Sequence, residues 1–227
     1  MTIGLVILTR NEIEGCRAII PRIPRAAVDE IFAVDGGSTD GTVAYLEAQG
    51  IPVVAQGEEK GRGAAFRIAF RHTHADALIC FSPDGNEEPD DIPRFRPLLE
   101  AGNDIVIASR MMKGARNEED AQRLRWRKWA NLAFGWCANR FFNRGPFVTD
   151  TINGFRAIRV PVFNTLQPDG PGYTIEYQTS IRAMKRGLKI AEFPTHEHPR
   201  IGGESMAKSI PTGVIFLRLL WRELRRR

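Results

Sequence analysis

The sequence is poor in the residues that build disulfide frameworks and zinc sites. Its 227 residues include three cysteines, Cys16, Cys80 and Cys137, and four histidines. The cysteines are odd in number and widely spaced, so they predict neither paired disulfides nor a zinc-binding motif. We therefore expect three reduced cysteines in a cytoplasmic protein.

Long apolar runs and nucleotide-binding glycine signatures are also missing. No stretch reaches the roughly 18 apolar residues that a spanning helix needs, and the apolar start of the chain is short and followed by Arg10. This pattern argues against an integral membrane protein and against a signal peptide. Neither G-x-G-x-x-G nor G-x-x-x-x-G-K occurs, which excludes the dinucleotide fingerprint and the Walker loop.

The charge that is present has an uneven distribution. The chain is 43% hydrophobic and 26% charged, as soluble globular proteins are. Its net charge is +5, with basic residues concentrated in segments 123–144 and 218–227. Such segments favour anionic partners, for example nucleotide phosphates or lipid headgroups.

Short apolar runs alternate with helical patterns along the chain. The runs cover residues 3–8, 30–34, 52–55, 77–81 and 104–108. This alternation predicts an α/β fold with a mostly parallel central sheet flanked by helices. Ligands of such sheets bind at the carboxyl ends of the strands.

Polar groups follow these runs again and again. Thr9, Asn11 and Glu12 follow the first run, Asp35 the second, Asp84 and Asn86 the run 77–81, and Arg110 the run 104–108, while Lys60 lies in a basic glycine-flanked turn. In extended chain Asp84 and Asn86 point the same way, and their oxygens suit Mg²⁺ or Mn²⁺. The pattern predicts a nucleotide-phosphate site with a divalent cation. A polar strand cap at Asp84 and an Arg110–Asp84 salt bridge are alternatives. Nucleic-acid binding would not explain the acidic strand ends.

The motifs in these positions resemble a known family. Those resembling family 2 glycosyltransferases with the GT-A fold are Thr9-Arg10-Asn11-Glu12, the segment 34–42, Lys60-Gly61-Arg62-Gly63 and Ser82-Pro83-Asp84-Gly85-Asn86. Those similar to its polyprenyl-phosphate sugar transferase branch, the dolichol-phosphate mannose synthase type, are Ala108-Ser109-Arg110, the segment 150–156, Glu176, Glu192-Phe193-Pro194 and the segment 200–205. The resemblance spans about residues 3–209.

The resemblance implies roles for individual residues. Asp35 would contact the nucleobase, and Thr9, Asn11, Glu12 and Lys60 would border the nucleotide. Asp84 and Asn86 would hold Mg²⁺ or Mn²⁺, and Arg110, Arg125, Arg200 and Ser205 would bind phosphates or the acceptor. Asp150 would lie near the sugar, and with Asp84 and Arg110 it forms the expected catalytic set. A structural pair of Asp150 with Arg156 is the alternative. Two departures matter. Ser82 replaces the first carboxylate of the usual Asp-x-Asp, and Gly203-Glu204-Ser205-Met206 replaces Gly-x-Ser-Lys.

The implied reaction is transfer of a hexose from a GDP- or UDP-sugar to a polyprenyl phosphate, with inversion. If the acceptor is instead a saccharide hydroxyl, a base is needed, and Asp150 or Glu88 is the candidate. Ser82 leaves open a non-catalytic protein that binds nucleotide-sugars. A nucleotidyltransferase would carry a glycine-rich basic loop after the first strand, and the segment 9–12 is not one.

Two helical patterns in the second half have apolar stripes. In the predicted helix 125–142, Trp126, Trp129 and Trp136 share one face. In the predicted helix 212–227, Val214, Leu217, Trp221 and Leu224 lie opposite arginines. We expect a catalytic domain at 1–210 and a basic amphipathic helix at 211–227, peripheral on the cytoplasmic face of a membrane. Packing of the first stripe into the core or a dimer interface, and docking of the terminal helix on the domain, are the alternatives.

Overall fold

A computed structural model describes residues 1–122, 124–202 and 209–226. Within these ranges it contains seven strands and eight α-helices. The strands are β1 (Ile3–Thr9), β2 (Glu30–Asp35), β3 (Val53–Ala55), β4 (Ala77–Phe81), β5 (Ile105–Ser109), β6 (Arg156–Arg159) and β7 (Ile190–Pro194). The helices are α1 (Ile13–Ile19), α2 (Thr42–Ala48), α3 (Arg62–His72), α4 (Phe95–Glu100), α5 (Trp126–Phe142), α6 (Val160–Leu166), α7 (Thr174–Lys185) and α8 (Ser209–Arg225).

The strands form one sheet in the order β3-β2-β1-β4-β6-β5-β7. Strand β6 runs antiparallel to both of its neighbours, and the other pairs are parallel. The predicted mostly parallel sheet is confirmed. Every residue of β1, β4 and β5 is buried, as expected for strands with helices on both faces.

Two hydrophobic layers hold the helices on the sheet. One face packs against α3, α5, α6, α7 and α8 through residues such as Phe66, Tyr177 and Phe216. The other face packs against α1, α2 and α4 through residues such as Leu46 and Phe95. Because helices cover both faces, the polar strand ends are the part of the sheet left open for a site.

The local predictions differ from the structure at a few points. Helices α4 and α6 were not predicted from the sequence. Helix α1 begins after Glu12 and has no side-chain cap. Gly50 and Gly187 follow α2 and α7 with φ values of 72° and 64°, a conformation in which glycine carries no steric cost.

The terminal helix α8 is docked on the domain. Phe216, Leu219 and Leu220 are buried in the first layer. Its Glu223 is only 1% exposed and accepts hydrogen bonds from α7. Docking of this helix, the alternative that the sequence left open, is therefore what the structure has. The division of the chain at residue 210 stays a prediction, and no helix in the described ranges is both long and apolar enough to cross a bilayer.

Glu223 forms a polar lock between α8 and α7. Its Oε1 accepts from Gln178 Nε2 at 2.9 Å and from Arg182 Nε at 3.1 Å, and its Oε2 lies 3.2 Å from Lys185 Nζ. Burial acts to raise the pKa of Glu223, but the hydrogen bonds from Gln178 and Arg182 hold that pKa below its usual value.

We expect Glu223→Gln to lower the free energy of unfolding by about 2 kcal/mol, because Arg182 loses its buried carboxylate partner and keeps only the exposed Asp169. Urea unfolding at neutral pH measures the change. Glu47→Gln, at an exposed position of α2, is the matched control and should stay within about 0.5 kcal/mol of the parent. Equal stability of the two variants would contradict the polar lock.

Candidate active site

The carboxyl ends of β1 and β4 open into a strand-end cavity, lined by Thr9, Glu12, Gln56, Arg62, Asp84 and Arg200 among others. A second space, the central cavity, adjoins it and shares Arg62, Asp84 and Arg200. Its further lining includes Asn86, Glu87, Arg110, Glu176 and Glu197. Of the predicted site residues, the structure thus brings Thr9, Glu12, Asp84, Asn86, Arg110 and Arg200 together.

Arg200 contacts residues that follow two different strands, β1 and β4. Its Nη1 donates to Asp84 Oδ2 at 2.7 Å, and its Nη2 is ion-paired with Glu12. Burial raises the pKa of Glu12 despite the opposing charge of Arg200. The segment that carries Arg200 is held over the β4 end by two backbone bonds, Ile201 N–H to the Asp84 carbonyl at 2.7 Å and His198 N–H to the Asn86 carbonyl at 3.0 Å.

Asp84 and Asn86 lie close together, but not in the way the sequence predicts. Residues 83–86 form a turn rather than extended chain, and the Asn86 N–H donates to Asp84 Oδ1 at 3.1 Å. Gly85 makes this turn with a φ of 89°. A Cβ on it would meet the Ile201 side chain at 2.6 Å, so glycine serves both the turn and the close approach of the Arg200 segment.

Arg62, rather than Lys60, is the basic residue of the glycine turn that enters the site. Its side chain is 17% exposed, and its Nε is ion-paired with Glu176 of α7. Its Nη1 donates to Ser82 Oγ at 3.0 Å. A Cβ at Gly154 would collide with the guanidinium, so that glycine makes room for Arg62.

Glu87 is a site residue that the sequence reasoning missed. Its Oε2 accepts the Ser82 backbone N–H at 2.7 Å, and the residue lines the central cavity. Burial raises the pKa of Glu87 to about 8, against the lowering effect of Arg62 and with a further rise from Asp84. Its position in the sequence, five residues after Ser82 and two before Pro89, was the signal that could have identified it as a site residue.

Arg110 is fixed at the end of β5 by two carboxylates. Its Nε donates to Asp150 Oδ2 and its Nη1 to Glu197 Oε1, both at 2.8 Å. Burial acts to raise the pKa of Asp150, yet the Arg110 guanidinium holds that pKa below its usual value. The alternative Arg110–Asp84 salt bridge is therefore wrong.

The alternative Asp150–Arg156 pair is wrong as well. Arg156 is fully buried and donates to the carbonyls of Asn153, Thr151 and Glu176 and to Ser180 Oγ. Asp150 is 2% exposed and lies beneath Arg110. A contact of Asp150 with a sugar stays a prediction, and its geometry is that of a residue that positions Arg110.

Four other predicted site residues do not line these cavities. Asp35 is 4% exposed, and its Oδ2 accepts the Gly37 and Ser38 N–H groups, both at 2.8 Å. Asn11 lines a separate shallow cavity beside Glu12. Lys60 is exposed, and Arg125 lies 3.5 Å from Asp120. Ser205 lies outside the described residues. The roles predicted for these five residues stay predictions.

The donor atoms around Asp84 fit a hard divalent cation. Asp84 contributes carboxylate oxygens and Asn86 an amide oxygen, and the buried Glu176 Oε2 has no hydrogen-bond partner in the described chain. No group of three or more His, Cys, Asp or Glu there is placed to hold a metal ion. A Mg²⁺ or Mn²⁺ ion bound here would thus share its coordination with substrate phosphates and water, as Mg²⁺ usually does.

A third space, the helix-side cavity, continues from the central cavity toward α5 and α8. Its apolar lining includes Trp126, Ala130, Phe134, Ile152 and Phe216. Arg110, Arg127, Asn131 and Tyr173 line both this space and the central cavity. Arg127, one turn before Asn131 on α5, was not identified from the sequence, where Arg125 was favoured.

The tryptophan stripe of α5 faces outward. Trp126, Trp129 and Trp136 are 46%, 55% and 57% exposed. The alternative that this stripe packs into the core is therefore wrong. The predicted stripe of α8 is exposed too, and α8 packs through a different face. We use the name α5–α8 apolar surface for one set of exposed residues on these two helices: Trp126, Trp129, Leu132, Trp136, Val214, Leu217, Trp221 and Leu224. Exposed apolar sets of this size mark interaction sites.

In a mostly parallel sheet, ligands bind at the carboxyl ends of the strands, and the arginines gathered there suit an anionic ligand. The sequence profile of glycosyl transferase family 2 matches residues 5–167, more than half of the chain. The protein belongs to this family and is a glycosyltransferase. The predicted family, and the GT-A fold that goes with it, are confirmed.

Individual relatives agree with this assignment. The chain is 30% identical over 220 residues to a dolichyl-phosphate hexose transferase of Haloferax volcanii, covering 92% of each chain. It is 28% identical to the polyprenol monophosphomannose synthase of Mycolicibacterium smegmatis, covering 90% of this chain and 81% of that one. Among solved structures it shares its fold with glucosyl-3-phosphoglycerate synthase of Mycobacterium tuberculosis in complex with Mn²⁺, UDP and phosphoglyceric acid (TM-score 0.75, 21% identity, 99% and 78% coverage).

We expect Asp150→Asn to lower the free energy of unfolding by about 3 kcal/mol at pH 7, because Arg110 loses a buried counterion. The folded-state pKa of Asp150 lies below the unfolded value of about 3.9, so its stabilisation is present above that value and lost as the pH falls through the folded pKa. The gap between variant and parent should therefore narrow as the pH falls below about 3.9. Urea titrations at pH 7 and pH 3 measure it, with the exposed Asp90→Asn as control. A gap that is as large at pH 3 as at pH 7 would sink this explanation.

Proposed function

We propose that the protein transfers a hexose from a GDP- or UDP-sugar to a polyprenyl phosphate at a membrane surface, with Mg²⁺ or Mn²⁺ and with inversion. Two relatives, a dolichyl-phosphate hexose transferase and a polyprenol monophosphomannose synthase, support the acceptor class. The Mn²⁺ and UDP in the solved neighbour support the metal and a nucleotide donor. Cytoplasmic placement stays a prediction.

The observation that carries this proposal is the continuity of the central and helix-side cavities. At one end arginines and carboxylates converge, and at the other the lining is apolar and ends at α5 and α8. An acceptor that is an anion on a hydrocarbon tail fits such a space, with its phosphate near Arg127 and Asn131 and its tail against Phe134 and Phe216. A soluble sugar acceptor would leave the apolar part unused.

The reaction needs little beyond positioning and charge. An oxygen of the acceptor phosphate attacks the anomeric carbon and forms the new C–O bond, while the bond from that carbon to the donor diphosphate breaks and the nucleoside diphosphate leaves. The attacking oxygen is already anionic, so no base is required. Neither Asp150 nor Glu88, the bases that a hydroxyl acceptor would need, is among the described residues that line these cavities.

Arginines supply the fixed charge. Arg62 and Arg200 line the strand-end and central cavities, where a guanidinium stabilises the negative charge that develops on the leaving diphosphate. A divalent ion near Asp84 and Asn86, when bound, neutralises part of the same charge. Arg110, held by Asp150 and Glu197, presents its charge in a fixed orientation and needs no rearrangement during the reaction.

The α5–α8 apolar surface would bring the enzyme to its acceptor. Its exposed tryptophans suit the headgroup region, where aromatic rings are favoured. Arg140, Arg218, Arg222 and Arg225 are exposed on the same two helices, and arginines near a surface attract anionic lipids. The proposal therefore places the helix-side cavity at the membrane, where a polyprenyl tail can enter it.

Transfer assays with a panel of GDP- and UDP-hexoses test the proposal directly. We expect one donor to release its nucleotide only when both Mn²⁺ and vesicles containing undecaprenyl phosphate are present. The product should be a glycosyl phosphate lipid with the anomeric configuration opposite to that of the donor, read by NMR. Nucleotide release that ignores the lipid phosphate would reject this acceptor, and nucleotide binding without any transfer would favour a non-catalytic binding protein.

Membrane attachment is tested separately with the double variant Trp129→Gln/Trp221→Gln. Burying each aromatic ring is worth at least about 1.5 kcal/mol, so its partition into vesicles with anionic lipid should fall about a hundredfold. Vesicle co-sedimentation measures it. Arg17→Gln, on the exposed side of α1, is the control and should bind like the parent. Undiminished binding of the tryptophan variant would place the membrane contact elsewhere.

A further inference from the structure

Position 82 has no carboxylate, and the residue there is engaged in other ways. Ser82 directly follows strand β4 and is 8% exposed. Its Oγ accepts from Arg62 at 3.0 Å and its backbone N–H donates to Glu87 at 2.7 Å. The turn at 83–86 brings Glu87 back to the strand end from which Ser82 comes. A carboxyl group thus lies beside the position where the sequence lacks one.

Glu87 differs from the other carboxylates of the central cavity. Three of them are paired at short range: Asp84 with Arg200, Glu176 with Arg62 and Glu197 with Arg110, and Glu118 lies 3.5 Å from Arg127. Among the described residues Glu87 has no ion pair within 4 Å. It lines the cavity together with Asp84 and Asn86, so its carboxyl group is available to a cation there.

The surroundings of Glu87 also point to a missing ligand. Glu176 is 2% exposed and lines the same cavity, and its Oε2 has no hydrogen-bond partner. A buried carboxylate oxygen without a donor is costly unless something binds it. The central cavity therefore holds acceptor oxygens in excess of the donors that the described chain offers them.

We propose that Glu87 supplies the carboxyl ligand that position 82 lacks, and that it binds the divalent ion together with Asp84 and Asn86. This inference rests on the proposed metal-assisted function. Two carboxylates, one amide oxygen and the donor phosphates form an all-oxygen set of the kind that Mg²⁺ and Mn²⁺ prefer. The residue sits on the turn that carries the other two, so one short segment holds the ion.

Mn²⁺ binding, measured by electron paramagnetic resonance in the presence of UDP or GDP, tests the inference without relying on turnover. We expect Glu87→Gln to weaken Mn²⁺ binding roughly tenfold to a hundredfold, the range seen when metal sites lose a supporting group. Nucleotide binding without Mn²⁺ and the thermal unfolding midpoint show that the variant is folded. Glu100→Gln, 52% exposed on α4, is the matched control and should bind Mn²⁺ like the parent.

A second variant makes the test reciprocal. In the Glu87→Gln background, Ser82→Asp returns a carboxylate to the strand end and should recover most of the lost Mn²⁺ affinity. Parent-like Mn²⁺ binding by Glu87→Gln would overturn the inference and leave the proposed function standing. A parent protein that binds no Mn²⁺ with either nucleotide would overturn the metal assistance itself, and the inference with it.

Discussion

Charge balance in the central cavity is the constraint on which the site depends. Arg62, Arg110 and Arg200 approach it, and each is held by a carboxylate from a distant part of the chain. A cation in this partly enclosed space without a counterion would carry a large desolvation penalty. The pairs therefore keep the guanidinium groups in place before any substrate phosphate arrives, so that phosphate binding exchanges one anionic partner for another.

The fold could be predicted from the sequence because the buried strands are continuous apolar runs. The polar residues that follow the predicted strands also identified Asp84, Arg110 and Glu12 as site residues, since residues at the carboxyl ends of parallel strands lie close together. The partners of these residues could not be predicted. Arg62 and Glu176 lie far apart in the chain and meet only because α3 packs beside α7. Asp150 lies six residues before Arg156 and 40 residues after Arg110, and only the folded geometry selects Arg110 as its partner.

The helix patterns show a different limit. Periodicity identified an apolar stripe on α5 and another on α8, but it could not say which side of each helix the core would take. On α8 the buried set is Phe216, Leu219 and Leu220, while Leu217 and Trp221 of the predicted stripe stay exposed. Because α8 has apolar residues on two faces, the helical periodicity of apolar residues fits either face. The buried Glu223 decides between them, because its three partners all lie on α7.

The strand order has a consequence for how the chain assembles. In the finished sheet β4 lies between β1 and β6, and β6 comes late in the chain. During synthesis the first four strands can pair as soon as they emerge, yet β4 then remains an apolar edge with open backbone groups. Such an edge is a template for pairing with other chains. The segment from β5 to β6 therefore separates the half-sheet that forms early from the strand that covers its open edge.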